Sequence, residues 1–85
     1  HADELNRLLE QRSKNVKVLT GDETGRPELK DSSVVISRYT VGGKDAGALA
    51  IIGPMRMNYA KVIAHMEYLS DAVGKMLTEL MDYDF

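Results

Sequence analysis

Hydrophobic positions recur with two different periods in the first twenty residues, and the change of period separates a helix from a strand. Leu5, Leu8 and Leu9 have the i, i+3, i+4 spacing of an amphipathic helix, which predicts a helix over Ala2–Asn15. Val16–Thr20 alternates apolar and polar residues, as a half-buried strand does. This part of the chain is therefore predicted to be a helix followed by a strand.

The middle of the chain has the pattern of a β-hairpin. Ser33–Val41 is rich in β-branched residues, and Ala46–Ile52 is small and apolar on both faces. Gly42 and Gly43, which separate them, can supply the two positive φ angles of a type I′ turn, so we expect the two strands to pair antiparallel. Because Ala46–Ile52 is uncharged on both faces, we expect this strand to be central in the sheet.

Turn residues and caps place the remaining elements. Gly21 to Pro27 reads as a surface loop, with Pro27 beginning a helical turn that runs to Lys30. The longest element is a helix from Tyr59 to about Leu80, with Asn58 as its N-cap. We expect its apolar stripe to face the core; the stripe comprises Tyr59, Val62, Ile63, Met66, Leu69, Val73, Met76, Leu77 and Leu80.

These elements predict one α+β domain over residues 1–85. It would have an antiparallel sheet of about three strands and two flanking helices, with at least one edge of the sheet left incomplete. The chain is too short for two domains, and its 44% hydrophobic and 28% charged residues are typical of a globular fold.

Composition excludes several classes of function. The 11 Lys and Arg residues against 13 Asp and Glu give a net charge of −2, which makes this segment by itself a poor DNA binder. The absence of Cys excludes disulfides and thiolate metal sites, and no apolar run is long enough to cross a bilayer. We therefore expect a cytoplasmic protein with no membrane partner.

Catalytic and metal-binding residues are not evident in the sequence. Glu67, Asp71 and Glu79 fit a solvated helix face better than a pair of catalytic carboxylates, and His65 has no second ligand at metal-binding spacing. We expect no enzyme activity, no cofactor and no metal.

The most unusual segment is the loop that leads into the long helix. Its candidate site residues are Gly53, Pro54, Arg56, Met57, Asn58 and Tyr59. In one interpretation the loop is structural, with a Gly-Pro turn and with Met57 and Tyr59 packed into the core. In the other, free N–H groups at the helix N-terminus and Arg56 hold an anion.

The run GALAIIGPMRMNYAKVI, residues 47–63, resembles the C-terminal signature of the heat-inducible transcription repressor family HrcA. That family typically has G-x-I-G-V-I-G-P-T-R-M-D-Y-x-x-V-I. The resemblance extends back through Ser33 to Gly43 and forward through Glu67 and Tyr68. The chain differs at Met55, where Thr is usual, and at Asn58, where Asp is usual. Asn still serves as a helix cap, whereas Met55 removes a hydroxyl that could contact a ligand.

The resemblance implies a repressor with an N-terminal winged-helix DNA-binding domain, a GAF-like domain and an inserted dimerisation domain. This chain would be the C-terminal part of the GAF-like domain, and the DNA-binding domain would lie outside it. The repressor would bind its operator as a homodimer, negatively regulate chaperone operons of the groE and dnaK type, prevent their heat-shock induction, and require the chaperonin GroEL. A GAF-like small-molecule sensor and a dimerisation module are the alternative functions.

Overall fold

The computed structural model describes residues 15–82, which form a three-stranded sheet and one long helix. The strands are β1 (Val16–Thr20), β2 (Ser32–Val41) and β3 (Lys44–Pro54), and the helix is α1 (Tyr59–Asp82). Two short 3-10 helices, Asp22–Thr24 and Pro27–Leu29, connect β1 to β2. The predicted α+β class is confirmed. The helix predicted over Ala2–Asn15 lies outside the described residues, so one flanking helix is seen.

The sheet is antiparallel with the strand order β1-β2-β3. The predicted hairpin is confirmed, since Gly42 and Gly43 adopt φ angles of 60° and 81° between β2 and β3. The expectation that the strand after this turn is central is wrong, because β2 occupies that place. The turn after β2 places β3 on the side of β2 opposite β1, so β3 has one neighbouring strand in the described sheet.

One face of the sheet and α1 enclose the core. Val16 and Val18 of β1 and Val35 of β2 are buried against Ile63 and Met66 of the helix. The opposite face of the sheet is also apolar and carries Leu19, Val34, Ile36 and Ile52, of which Ile52 is 56% exposed. Within residues 15–82, α1 covers one face of the sheet and no helix covers the other, although Val34 on that second face is buried.

The helix approaches β2 most closely at small residues. Ser70 and Gly74 are buried, and a Cβ atom added to Gly74 would lie 2.5 Å from the carbonyl oxygen of Thr40. The predicted apolar stripe is only partly correct, because Leu69, Met76 and Leu80 are 48%, 54% and 43% exposed. A helix that lies this near a strand can place only small side chains at the contact, which turns the larger ones to the side.

The connection between β1 and β2 is closed by local hydrogen bonds. The Thr20 amide donates to Glu23 Oε1 at 2.7 Å, and the Glu23 amide donates to Thr20 Oγ1 at 3.3 Å. These two reciprocal hydrogen bonds are arranged as in a capping box, and they satisfy two backbone N–H donors. The bond from Thr20 holds the pKa of the exposed Glu23 carboxyl below its ordinary value. The helical turn predicted at Pro27 is confirmed by the 3-10 helix that starts there.

Candidate functional site

The loop of candidate site residues joins the end of β3 to the start of α1. Gly53 and Pro54 are the last residues of β3, and the chain then folds back on itself. A Cβ atom added to Gly53 would lie 2.6 Å from the sulfur of Met57, so the Met57 side chain crosses directly over the glycine. Glycine at this position allows the loop to close onto the strand.

The start of α1 is fixed by three hydrogen bonds. Asn58 Oδ1 accepts the Lys61 amide at 3.2 Å, and the Asn58 carbonyl accepts the Val62 amide at 3.0 Å. The Tyr59 hydroxyl donates to the Met55 carbonyl at 2.5 Å and ties the helix back to the loop. The predicted N-cap role of Asn58 is confirmed, and the cap uses one of the free amides that could otherwise face a ligand.

Packing favours the structural interpretation of this loop. Met57 and Tyr59 are half-buried against the core cluster, together with Leu49 and Val62. Arg56 is exposed and makes no hydrogen bond or ion pair within residues 15–82. The loop thus places one exposed cation, Arg56, just before the start of α1, and an anion site there stays a prediction.

A polar seam between β2 and α1 is the least expected part of the interior. The Ser37 hydroxyl donates to Ser70 Oγ at 2.8 Å, and the Ser70 hydroxyl donates to the Glu67 carbonyl at 3.1 Å. Further along, the Gly42 amide donates to Thr78 Oγ1 at 3.0 Å, which connects the hairpin turn to the helix. No buried side-chain nitrogen or oxygen in the described part of the chain lacks a partner.

An open polar groove of about 500 Å³ runs along one side of this seam. Its charged members are Arg38, Asp71, Lys75 and Glu79, and Asn15 lies at its β1 end. Arg38 is already paired with Asp45, through bonds from Nε at 3.1 and 3.0 Å and a further bond from Nη2, and this pairing raises the pKa of Arg38. The charges in the groove are therefore mixed in sign.

The carboxylates and the histidine of α1 do not converge on a reactive site. Glu67, Asp71, Glu79 and His65 are all exposed. Within residues 15–82, no three side chains of the metal-ligating types are grouped closely enough to hold an ion. No helix in this same range combines the length and the apolarity that a bilayer crossing requires.

Comparison with known proteins identifies the family. The family model described as HrcA protein C terminal domain matches residues 1–63 of the chain. The chain belongs to the HrcA family. Residues 47–63, which carry the resemblance in sequence, comprise most of β3, the loop and the first turn of α1. The HrcA motif is thus a strand, a packed turn and a capped helix start.

Curated HrcA proteins from several bacteria are similar to most of the chain. The heat-inducible transcription repressor HrcA of Halalkalibacterium halodurans is 33% identical over 78 residues, which is 92% of this chain and 23% of that protein. The repressor of Desulforudis audaxviator is 42% identical over 65 residues, or 76% of this chain and 19% of its own. The repressor of Chloroflexus aggregans is 40% identical over 68 residues, which is 80% of this chain and 18% of that protein. No solved structure matches the chain.

The chain therefore spans about a fifth of the length of the HrcA relatives it matches. These relatives are transcription repressors by name, not enzymes, in agreement with the absence of a catalytic motif. Sequence reasoning located the HrcA loop but missed the Ser37–Ser70 pair and the close approach at Gly74. A signal was present, because Ser70, Gly74 and Thr78 recur every four residues along one helix face.

Proposed function

We propose that this chain is the C-terminal regulatory and structural part of a heat-inducible transcription repressor. It acts without catalysis, by holding separate winged-helix DNA-binding domains in a dimer that fits the operator of chaperone operons of the groE and dnaK type. Membership of the HrcA family is the observation that carries this proposal. The acidic net charge supports it, because DNA contact then belongs to another part of the repressor. We place the repressor in the cytoplasm.

The proposed regulation is the loss of a marginally stable fold on heating. The described core contains six buried hydrophobic residues, and the helix is joined to β2 by small and polar side chains. Domains with so small a core have a free energy of unfolding of about 5 kcal/mol, so a modest loss on heating depletes the active repressor. We further propose that GroEL restores it, so that repression reports the free folding capacity of the cell.

The experiment uses the Halalkalibacterium halodurans repressor with its matched segment replaced by this chain. Operator binding is measured after mild heating, with and without GroEL. We expect GroEL to restore binding, and equal binding in both arms would contradict the chaperonin step. Introducing Ser70→Ala, which leaves Ser37 without a partner, should lower the temperature at which binding is lost. The exposed change Lys75→Ala is its control.

A small-molecule sensor is the second candidate, and the polar groove beside α1 is the observation that favours it. Its ligand would bind between Arg38 and Lys75, since Met57 and Tyr59 fill the space under the Gly53 to Tyr59 loop. A thermal-shift screen of metabolites and inorganic anions tests it, because a ligand specific for the folded state raises the melting temperature. A screen in which no compound raises the melting temperature would favour the structural role.

A further inference from the structure

The N-terminal half of α1 is held on the sheet by the hydrophobic core. Ile63 and Met66 are large and buried, and both belong to the core cluster with the valines of β1 and β2. Tyr59 and Val62 pack against the same cluster. Separating this half from the sheet would expose the core to water, which is costly because burial of large apolar side chains is the main stabilising term in a small domain.

The C-terminal half, residues 70–82, lies against β2 at small residues instead. Its two buried residues are Ser70 and Gly74, which bring little apolar surface to the contact. Val73 and Leu77 are only half-buried, and neither belongs to the core cluster in the described part of the chain. Hydrophobic burial therefore holds this half on the sheet more weakly than the first.

Hydrogen bonds fix the position of residues 70–82 on β2. The Ser37 hydroxyl donates to Ser70 Oγ at 2.8 Å, and the Gly42 amide donates to Thr78 Oγ1 at 3.0 Å. The Thr78 hydroxyl in turn donates to the Gly74 carbonyl at 2.7 Å. Each of these groups can bond to water after separation, so the net contribution of such bonds to stability is modest beside the burial of a large apolar side chain.

Two sequence features also weaken residues 70–82 as a helix. Gly74 lies in the helix interior, where glycine is unfavourable because it loses more backbone entropy than any other residue. Glu79 and Asp82 lie in the last turn of α1, which contains no basic residue. Negative charges at that end oppose the helix dipole. Weak attachment to the sheet and weak helical structure thus coincide in the same half of α1.

We propose that residues 70–82 detach from β2 as a unit on heating, while the sheet and the N-terminal half of α1 stay folded. This release breaks the bonds from Ser37 and Gly42 to the helix, but it opens neither the two strand ladders nor the core cluster. Regions of one protein commonly open at different free energies in this way. The meaning of the release for repression rests on the proposed function, in which it is the first step of heat inactivation.

The experiment is amide hydrogen exchange, measured by mass spectrometry with fragmentation to single residues. It uses the Halalkalibacterium halodurans repressor that carries this chain, at rising temperatures below the loss of operator binding. We expect the amides of residues 74–82 to exchange about tenfold faster than those of residues 63–69 and of β2. The Gly42 amide should exchange together with residues 74–82, because its acceptor is Thr78, 36 positions away.

A charge change at the helix end tests whether these amides report one event. Asp82→Lys replaces an anion with a cation at the negative end of the dipole, so it should slow the exchange of residues 74–82 about two- to fivefold. It should slow the Gly42 amide by the same factor, although position 82 is remote from Gly42 in the sequence. Asp31→Lys makes the same charge change at an exposed position outside α1 and should leave both rates unchanged.

Removal of the Thr78 hydroxyl tests the polar attachment. Thr78→Val keeps the branched shape of the side chain but loses both hydrogen bonds, so residues 74–82 should exchange about two- to tenfold faster while β2 does not change. Thr78→Ser keeps the hydroxyl and is the matched control. Circular dichroism of each variant shows whether it is folded.

Three results would overturn the proposal. Equal exchange of residues 74–82, residues 63–69 and β2 at every temperature would show that they unfold together. Exchange that spreads inward from Asp82 without the Gly42 amide would show fraying of the helix end. Faster exchange in β2 than in residues 74–82 would reverse the order. None of these results bears on the GroEL experiment, which measures operator binding, and a failure of that experiment leaves the order of opening unchanged.

Discussion

Ser37 and Ser70 form a directed hydrogen bond across the interface between α1 and the sheet. Ser37 Oγ donates at 2.8 Å to Ser70 Oγ, whose own hydrogen goes to the Glu67 carbonyl. Both residues are buried, at 0% and 3% exposure. The direction of donation makes the two serines unequal, because Ser70 keeps a partner without Ser37 but Ser37 has none without Ser70.

This inequality predicts different costs for the two alanine substitutions. Ser70→Ala leaves the buried Ser37 hydroxyl unsatisfied and should lower the free energy of unfolding by about 1–3 kcal/mol. Ser37→Ala should cost less, because the Ser70 hydroxyl keeps its bond to the helix carbonyl. Urea denaturation of both variants measures the difference. The double variant should be closer to wild type than Ser70→Ala alone, and equal costs for the two single variants would contradict the direction of the bond.

The close approach at Gly74 predicts that a good helix former is harmful there. Alanine is preferred over glycine in a helix interior by about 1 kcal/mol. At Gly74, however, its Cβ atom would lie 2.5 Å from the Thr40 carbonyl oxygen, so the helix must move away from β2. Gly74→Ala should therefore destabilise the fold by about 1–3 kcal/mol. Thermal unfolding measures it beside Lys75→Ala, whose effect should stay within about 0.5 kcal/mol.

The N-cap formed by Asn58 predicts different effects on stability for two substitutions at this position. Asn58→Ala removes the acceptor of the Lys61 amide and should cost about 1 kcal/mol of stability. Asn58→Asp keeps the acceptor and adds a negative charge at the positive end of the helix dipole, so it should be at least as stable as wild type at neutral pH. Denaturation at neutral pH decides between these results. A less stable Asn58→Asp variant would show that the cap is not the dominant role of this residue.

The Thr20–Glu23 pair predicts a small pH dependence of stability. The pKa of Glu23 is lower in the folded chain than its ordinary value of 4.5, mainly because the Thr20 amide donates to its carboxylate. A lowered pKa stabilises the fold above the unfolded value, and this contribution is lost as pH falls through the folded pKa. The stability difference between wild type and Glu23→Gln should therefore shrink below pH 4.5. Glu79→Gln, at an exposed carboxylate without a hydrogen bond in the described residues, is the control.

Turn and cap chemistry made the hairpin and the helix start predictable from sequence. Two glycines in succession permit the positive φ angles at 42 and 43, and an asparagine before an apolar stripe supplies the N-cap. These signals are local, since they depend on residues within a few positions of each other. They located β2, β3 and α1 to within two residues at most of their ends.

The order of the strands and the buried face of α1 depend on contacts between residues far apart in the chain. For these two features the sequence pattern was ambiguous. The small apolar residues of β3 fit an interior strand and an edge that awaits a partner equally well, so β3 was expected in the centre where β2 lies. Leu69, Met76 and Leu80 satisfy helical periodicity, but the depth of packing is set at Ser70 and Gly74. Hydropathy alone ranks large residues first and therefore misses a contact made by small ones.

The sheet face away from α1, with Leu19, Val34, Ile36 and Ile52, links folding to the surroundings of the molecule. Any molecule that binds this face in the folded state, and not in the unfolded chain, moves the unfolding transition by mass action. The melting midpoint of this module is consequently a property of the solution as much as of the polypeptide. Two samples that differ only in what covers that face will melt at different temperatures.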